Sequence, residues 1–229
     1  GNHMASLVVT PDVIEFVDQL TISAWVNLDS YTNVFPRIVD LAGLNLYFNQ
    51  GSNSVRFGRF HTTQIGYWNT PTSSVELNKW YHIAVTYDDS STTNDPKIYI
   101  NGVSQTSTEV FTPSGTPHLT AGTRYIGNSG ANNRGWAGKI DELAYWNVML
   151  SDDEVLTLYN RQSPRFADHT ELSSDWTPKY SSLVSYWQMD GNWQDSVGVN
   201  HGTAQADATF SVANKVGSHT GTFDGTGDY

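Results

Sequence analysis

Hydrophobic and polar residues alternate along most of the chain. Leu20, Ile22, Ala24, Val26 and Leu28 are interleaved with Thr21, Ser23, Trp25 and Asn27, the period-two pattern of a half-buried strand. Residues 44–49 and 55–60 read as two more strands, joined through Gly51-Ser52-Asn53. Residues 79–87 place Tyr81, Ile83, Val85 and Tyr87 on one face. Runs at 97–100 and 103–105 flank Asn101-Gly102. That pair tolerates positive φ at both positions and predicts a type I′ hairpin. Strand-like text continues at 123–126, 138–146, 183–187, 208–212 and 222–223. Many short strands with polar connections predict a sandwich.

One helix interrupts this pattern. Ser151-Asp152-Asp153-Glu154 is a capping box, with Leu150 and Val155 at the staple positions. Asp152 and Asp153 suit the positive end of the helix dipole. The helix is expected over 151–161, ending ahead of Pro164, with Val155, Leu158 and Tyr159 docked on the sandwich. Residues 163–182 show no period and read as a linker with room for a short turn of helix.

Composition narrows the class. The chain has 229 residues, enough for a single all-β domain with a large core. Without cysteine, disulfides, thiolate metal sites and thiol catalysis are excluded. Twelve Lys and Arg against 23 Asp and Glu leave a net charge of −11, the wrong sign for a nucleic-acid binder. No apolar run is long enough to cross a membrane as a helix. Eight Trp and 13% aromatic residues make a folding composition. Low Lys with abundant Thr, Ser, Asn and Gly is common in secreted β-proteins, so an extracellular or cell-surface location is expected. Residues 1–6, Gly-Asn-His-Met-Ala-Ser, read as a cloning scar and are set aside.

Five segments together resemble the LamG-like jelly-roll domains of the concanavalin A-like lectin/glucanase superfamily. They are LTISAWVNLDS at 20–30, KWYHIAVTYDD at 79–89, KIYINGV at 97–103, TRYIGNS at 123–129 and GKIDELAYWNVMLSDDEVLTLYN at 138–160. The resemblance implies an all-β fold, a two-sheet antiparallel jelly-roll sandwich with one short helix. It also implies an unusual order. Residues 7–162 resemble the body of such a domain. Residues 183–204, LVSYWQMDGNWQDSVGVNHGTA, resemble a domain's first strand and loop, and TFDGTGDY at 222–229 resembles the turn that should precede Leu7. The simplest reading is a tandem repeat array cut out of phase, with residues 163–182 as linker and 183–229 as the opening strands of the next repeat. Those strands are expected to complete the same sandwich, giving a monomer, or a neighbouring copy, giving a domain-swapped dimer.

The resemblance also frames the chemistry. Glucanases of the superfamily carry two glutamates flanking an aspartate on one strand. The corresponding strand here reads Lys139-Ile140-Asp141-Glu142-Leu143-Ala144. Asp141 and Glu142 are adjacent, so strict alternation would point them to opposite faces. Paired-carboxylate hydrolysis is therefore not expected. In LamG-like domains an aspartate at the position of Asp141 joins oxygens of the turn that here carries Asp224 and Asp228, which implies Ca²⁺ as a cofactor. Turn capping by Asp141 and Asp224 is the simpler alternative. Asp190, Asp195 and Asn200 offer a second set of oxygens, in what otherwise reads as a Gly-rich turn.

Glycan binding would use an exposed aromatic face with polar neighbours. Trp68 with Asn69, and Trp136 with Arg134, are the candidates, with a packing role as the alternative for Trp136. Trp25, Trp80, Trp146 and Trp187 lie in strand patterns and read as core. The seven histidines show no zinc spacing, and His82 reads as a hydrogen-bonded sheet residue. The expectation is a non-catalytic, calcium-assisted binding module for glycans or other surface ligands, acting in adhesion beside neighbouring repeats. A structural spacer or a protein-binding module is the alternative.

Overall fold

The computed structural model describes residues 6–7, 18–41, 43–118, 124–163, 171–204 and 207–225, with residues 6–7 described by backbone alone. The strands in chain order are β1 (Ser6–Leu7), β2 (Gln19–Ser30), β3 (Arg37–Leu41), β4 (Leu44–Asn49), β5 (Ser54–Arg59), β6 (Gly66–Asn69), β7 (Trp80–Asp88) and β8 (Lys97–Ile100). After them come β9 (Val103–Gln105), β10 (Thr108–Phe111), β11 (Arg124–Ile126), β12 (Ala137–Trp146), helix α1 (Asp152–Gln162), β13 (Leu183–Trp187), β14 (Gly202–Thr203), β15 (Thr209–Ser211) and β16 (Thr220–Asp224). They form two antiparallel sheets. The first runs β10-β6-β5-β4-β3-β11-β1-β14; the second runs β15-β16-β12-β2-β7-β8-β9, with β13 also on β12. This is the jelly-roll sandwich, with its one α-helix among the described residues.

Alternation builds the core between the sheets. Leu20, Ile22, Ala24, Val26 and Leu28 of β2 face Leu44, Leu46, Phe48, Val55 and Phe57 of β4 and β5. Apart from Ala24, each such side chain contributes about 1.5–3 kcal/mol by leaving water. A second cluster lies on the outer face of the second sheet. There Ala84, Tyr99, Ala144 and Trp146 meet Leu150, Val155 and Leu158 from the helix and its approach. The capping box is formed in both directions: Glu154 N–H donates to Ser151 Oγ at 3.3 Å, and Ser151 N–H donates to Glu154 at 2.7 Å. Asn101 and Gly102 both hold positive φ, +52° and +76°, as the hairpin requires.

The described part of the expected linker is docked on the domain. Leu172, Trp176 and Tyr180 pack on the second cluster, and Leu172 N–H donates to Tyr186 Oη at 3.1 Å. Residues 164–170 lie outside the described residues. The C-terminal segment pairs along one edge of β12. β16 covers Ala137 to Ile140 and β13 covers Leu143 to Trp146, while β2 holds the other edge.

His82 departs from the expectation of a hydrogen-bonded histidine. Its ring is fully buried between Trp25 and Tyr159, with centroids 5.3 and 6.1 Å away. Neither ring nitrogen has a hydrogen-bond partner among the described residues. Burial drives its pKa down to about 3, so the ring is neutral and serves as packing.

Candidate binding face and the Asp141–Glu142 junction

The first sheet has one face in the core and one outside. Because Leu46, Phe57 and Trp68 point inward, their strand neighbours Asn45, Tyr47, Arg56, Gly58, Tyr67 and Asn69 point outward. Register assembles these into two rows. Across the first, Arg37 stands opposite Tyr47, Tyr47 opposite Arg56, Arg56 opposite Asn69, and Asn69 opposite Thr108. Across the second, the order is Tyr125, Asp40, Asn45, Gly58, Tyr67 and Phe111.

The rows form a connected aromatic and cationic surface. Phe35, Tyr47, Tyr67 and Phe111 meet edge to face in sequence, at centroid separations of 5.6, 6.5 and 6.3 Å. Phe111 is 53% exposed and Tyr67 is half-buried, so rings of this chain reach solvent. Arg37 lies over the Tyr47 ring at 3.8 Å, Arg134 over Phe35 at 5.2 Å, and Arg56 within 5.9 Å of Phe35, Tyr47 and Tyr67. Arg56 Nε donates to Asn69 Oδ1. Burial lowers the pKa of Arg37, and the nearby Arg134 cation lowers it further, against Tyr47, Asp40 and Tyr67. Burial raises the pKa of Asp40, against Arg37. Arg37 Nε and Asn45 Oδ1 are buried here without a partner among the described residues.

Two of the expected sugar-stacking residues are in the core instead. Trp68 is 0% exposed, stacked on Phe57 at 6.1 Å, and its Nε1–H donates to Asp95 at 2.7 Å. It offers no face to a sugar, because Trp68 has the inward parity on β6 and Tyr67 the outward one. Trp136 is equally buried, edge-on to Phe48 at 5.0 Å, with its Nε1–H donating to Asn27 O at 3.3 Å. Asn69 and Arg134 do lie on the outer surface. Trp80 is half-buried rather than core. The residues missed by sequence reading were Tyr67, Tyr47, Arg37 and Arg56. For Tyr47 and Arg56 the signal was the alternation through 45–49 and 55–59, which marks the partners of core residues as outward; Arg37 and Tyr67 carried no such signal.

The Ile-Asp-Glu strand folds differently from strict alternation. Glu142 has φ of +53°, and the β12–β2 register shifts between Asp141 and Ala144. This bulge falls where the neighbour of β12 changes from β16 to β13. It leaves Asp141 and Glu142 buried and electrostatically linked. Asp141 Oδ2 accepts the Lys215 and Val216 N–H groups at 2.9 and 3.1 Å. Glu142 Oε2 accepts from Tyr186 Oη and Gln162 Nε2, each at 2.6 Å. Burial raises Asp141 to about 7, with Lys215 and Val216 opposing and Asp190 adding to the rise. Burial and Asp141 raise Glu142 well above the carboxylate range. The pair joins the C-terminal strands to the body, with Asp141 0% and Glu142 1% exposed.

Two of the three residues expected to share a calcium ion, Asp141 and Asp224, are not brought together. Asp224 pairs with Ala137, four positions from Asp141 on β12, or about 13 Å along a strand. Two ligands of one Ca²⁺ sit within about 2.6 Å of the ion. Asp228 lies outside the described residues. Among the described residues no group of three or more His, Asp or Glu could hold a metal. The second set is a turn. Asp195 Oδ1 accepts N–H groups from Tyr186, Val197 and Gly198, and its Oδ2 accepts from Asn200. Asp190 Oδ1 accepts from Ser218 and His219.

Two antiparallel sheets packed as a jelly-roll sandwich define the fold class, and comparison with known proteins agrees on it. The Laminin_G_3 family model, of the concanavalin A-like lectin/glucanases superfamily, matches residues 3–156. The chain belongs to this family. Among solved structures, a candidate carbohydrate-binding protein from Bacteroides ovatus ATCC 8483 is similar, with a TM-score of 0.60 and 20% identity. The match covers 98% of this chain and 56% of that one, so this chain spans a little over half of its relative. The CBM40 of Ruminococcus gnavus IT-sialidase is similar at a TM-score of 0.52 and 16% identity, covering 62% of this chain and 83% of that one. No curated protein sequence matches the chain.

Proposed function

We propose that this protein is a non-catalytic binding module whose ligand is a glycan, held on the outer face of the first sheet. The observation that carries this reading is the pair of rows through Arg37–Tyr47–Arg56–Asn69 and Asp40–Asn45–Gly58–Tyr67–Phe111. Aromatic rings there suit the weakly positive C–H faces of a sugar. Asn, Asp and Arg beside them suit its hydroxyls. Within the rows only Asp40 is a carboxylate, whereas paired-carboxylate hydrolysis needs two. The family and the similar solved folds support the same class. In this reading the module works outside the cell in adhesion, within an array of like repeats, as the composition and the permuted order of family segments suggest.

The strand pairings β12–β13 and β12–β16 are those that closure of the C-terminal segment on its own chain requires. Solution mass at several concentrations tests this; a stable dimer overturns it in favour of a swap.

The ligand reading is tested on a glycan array, with Ca²⁺ and again with chelator, using the parent protein and Tyr67→Ala. A related group of glycans should bind the parent in both conditions, and the variant should lose them. Silence from folded parent protein overturns the reading and favours a spacer or a protein-binding module.

A further inference from the structure

Resting on that reading of the same face, we infer that the glycan is acidic: a saccharide carrying a carboxylate, clamped by Arg37, Arg56 and Arg134. These are three of only twelve cationic residues in a chain of net charge −11. All three guanidinium groups converge on the Phe35–Tyr47 ring pair. The described residues place no carboxylate within ion-pair distance of any of them; Arg59, Lys79, Lys97, Lys139 and Lys179 each have one.

Three like charges gathered on one surface repel one another, and a bound anion relieves that repulsion. Tyr47 and Phe35 hold the Arg37 and Arg134 cations by their ring faces. Nε of Arg37 is buried and has no partner among the described residues. The planar fork matches the two oxygens of a carboxylate. Beside the cations, Tyr67, Phe111 and Asn69 present ring and amide to the rest of the sugar, while Asn45 is buried beneath them. Net charge selects among anions. A densely sulfated chain or a nucleic acid would bring many charges against an acidic protein, whereas a short saccharide with a single carboxylate meets the local cations alone.

The test uses matched pairs in titration calorimetry on the whole chain: oligogalacturonate against its methyl ester, and sialyllactose against lactose. Parent protein should bind at least one acid about ten- to a hundredfold more tightly than its neutral partner, with an affinity that falls as salt is raised. Arg56→Gln and Arg134→Gln should erase that preference. Arg134→Lys, which keeps the charge and loses the fork, should weaken acid binding without unfolding, as thermal denaturation would verify. Neutral and acidic partners binding equally, or a preference that survives both Gln variants, overturns the acidic ligand and leaves the glycan reading standing. Heparin binding with no response to carboxylates overturns the carboxylate in favour of sulfate. Silence from every saccharide overturns the acidic ligand and the glycan reading together.

Discussion

Gly58 and Tyr67 stand opposite each other in β5 and β6, and a Cβ on Gly58 would lie 2.5 Å from Cε1 of Tyr67 and 2.4 Å from Oδ1 of Asn45. The bare glycine is what lets the tyrosine ring settle across the sheet next to Asn45. Gly58→Ala should therefore displace Tyr67, lower stability by about 1–3 kcal/mol through overpacking, and weaken glycan binding. Denaturant unfolding and array binding measured on the same variant check both effects.

Neighbouring aromatics on β6 should separate by function. Trp68→Ala removes a fully buried ring and its bond to Asp95, and should cost about 3–5 kcal/mol. Tyr67→Ala should cost about 1 kcal/mol or less, yet abolish glycan binding. A Tyr67 variant that unfolds while Trp68→Ala stays stable would reverse the assigned faces.

Protonation of the Asp141–Glu142 pair should be visible in stability. The folded pKa of Asp141 is raised from 3.8 to about 7, and that of Glu142 is raised as well. A folded state that holds its protons longer than the unfolded state loses stability as pH rises through the window between the two values. The two sites titrate together, so the window belongs to the pair. Asp141→Asn keeps an oxygen for the Lys215 and Val216 N–H groups and removes the ionisation. Its Tm relative to parent should climb between pH 4 and pH 7, by about 2–4 °C for each kcal/mol of relieved ionisation. A constant difference across that range would show that the pair is ionised and solvated in the native protein.

Calcium gives a further contrast. Asp141 already accepts two backbone N–H groups and stands four positions from Asp224. Asp141→Asn should therefore respond to Ca²⁺ and to chelator as the parent does, in Tm and in array signal. A calcium-induced rise in Tm seen in the parent and lost in this variant would place the ion at Asp141.

Much of the fold is legible in the order of residues alone. The runs at 44–49, 97–100, 103–105 and 183–187 coincide with strands, because burying one side of a pleated chain imposes period two on its own residues. Ser151 and Glu154 announce the helix, since both partners of the capping box lie within one turn. Asn101-Gly102 announces its hairpin for an equally local reason. The strands at 37–41 and 108–111 carry no such mark. Arg37–Leu41 holds two buried residues in succession, Ile38 and Val39, where the register with β4 shifts. Thr108–Phe111 is an exposed edge strand with no hydrophobic face to reveal it.

The candidate site is less legible. Tyr67 and Trp68 are both aromatic, and a four-residue strand does not say which of them points inward. Phe57 and Tyr87, packed against Trp68, decide it. Glu142 escapes alternation because its strand bulges where two different neighbours meet, a fact set by residues 183–224 and invisible within 138–146. By itself the sequence determined most of the strands, the helix and the sandwich class, since each of these depends on contacts within a few residues or on the burial of one face. Tertiary structure alone brought Arg37, Tyr47, Arg56 and Asn69 into one row, because strand register is a contact between distant segments and has no local signature.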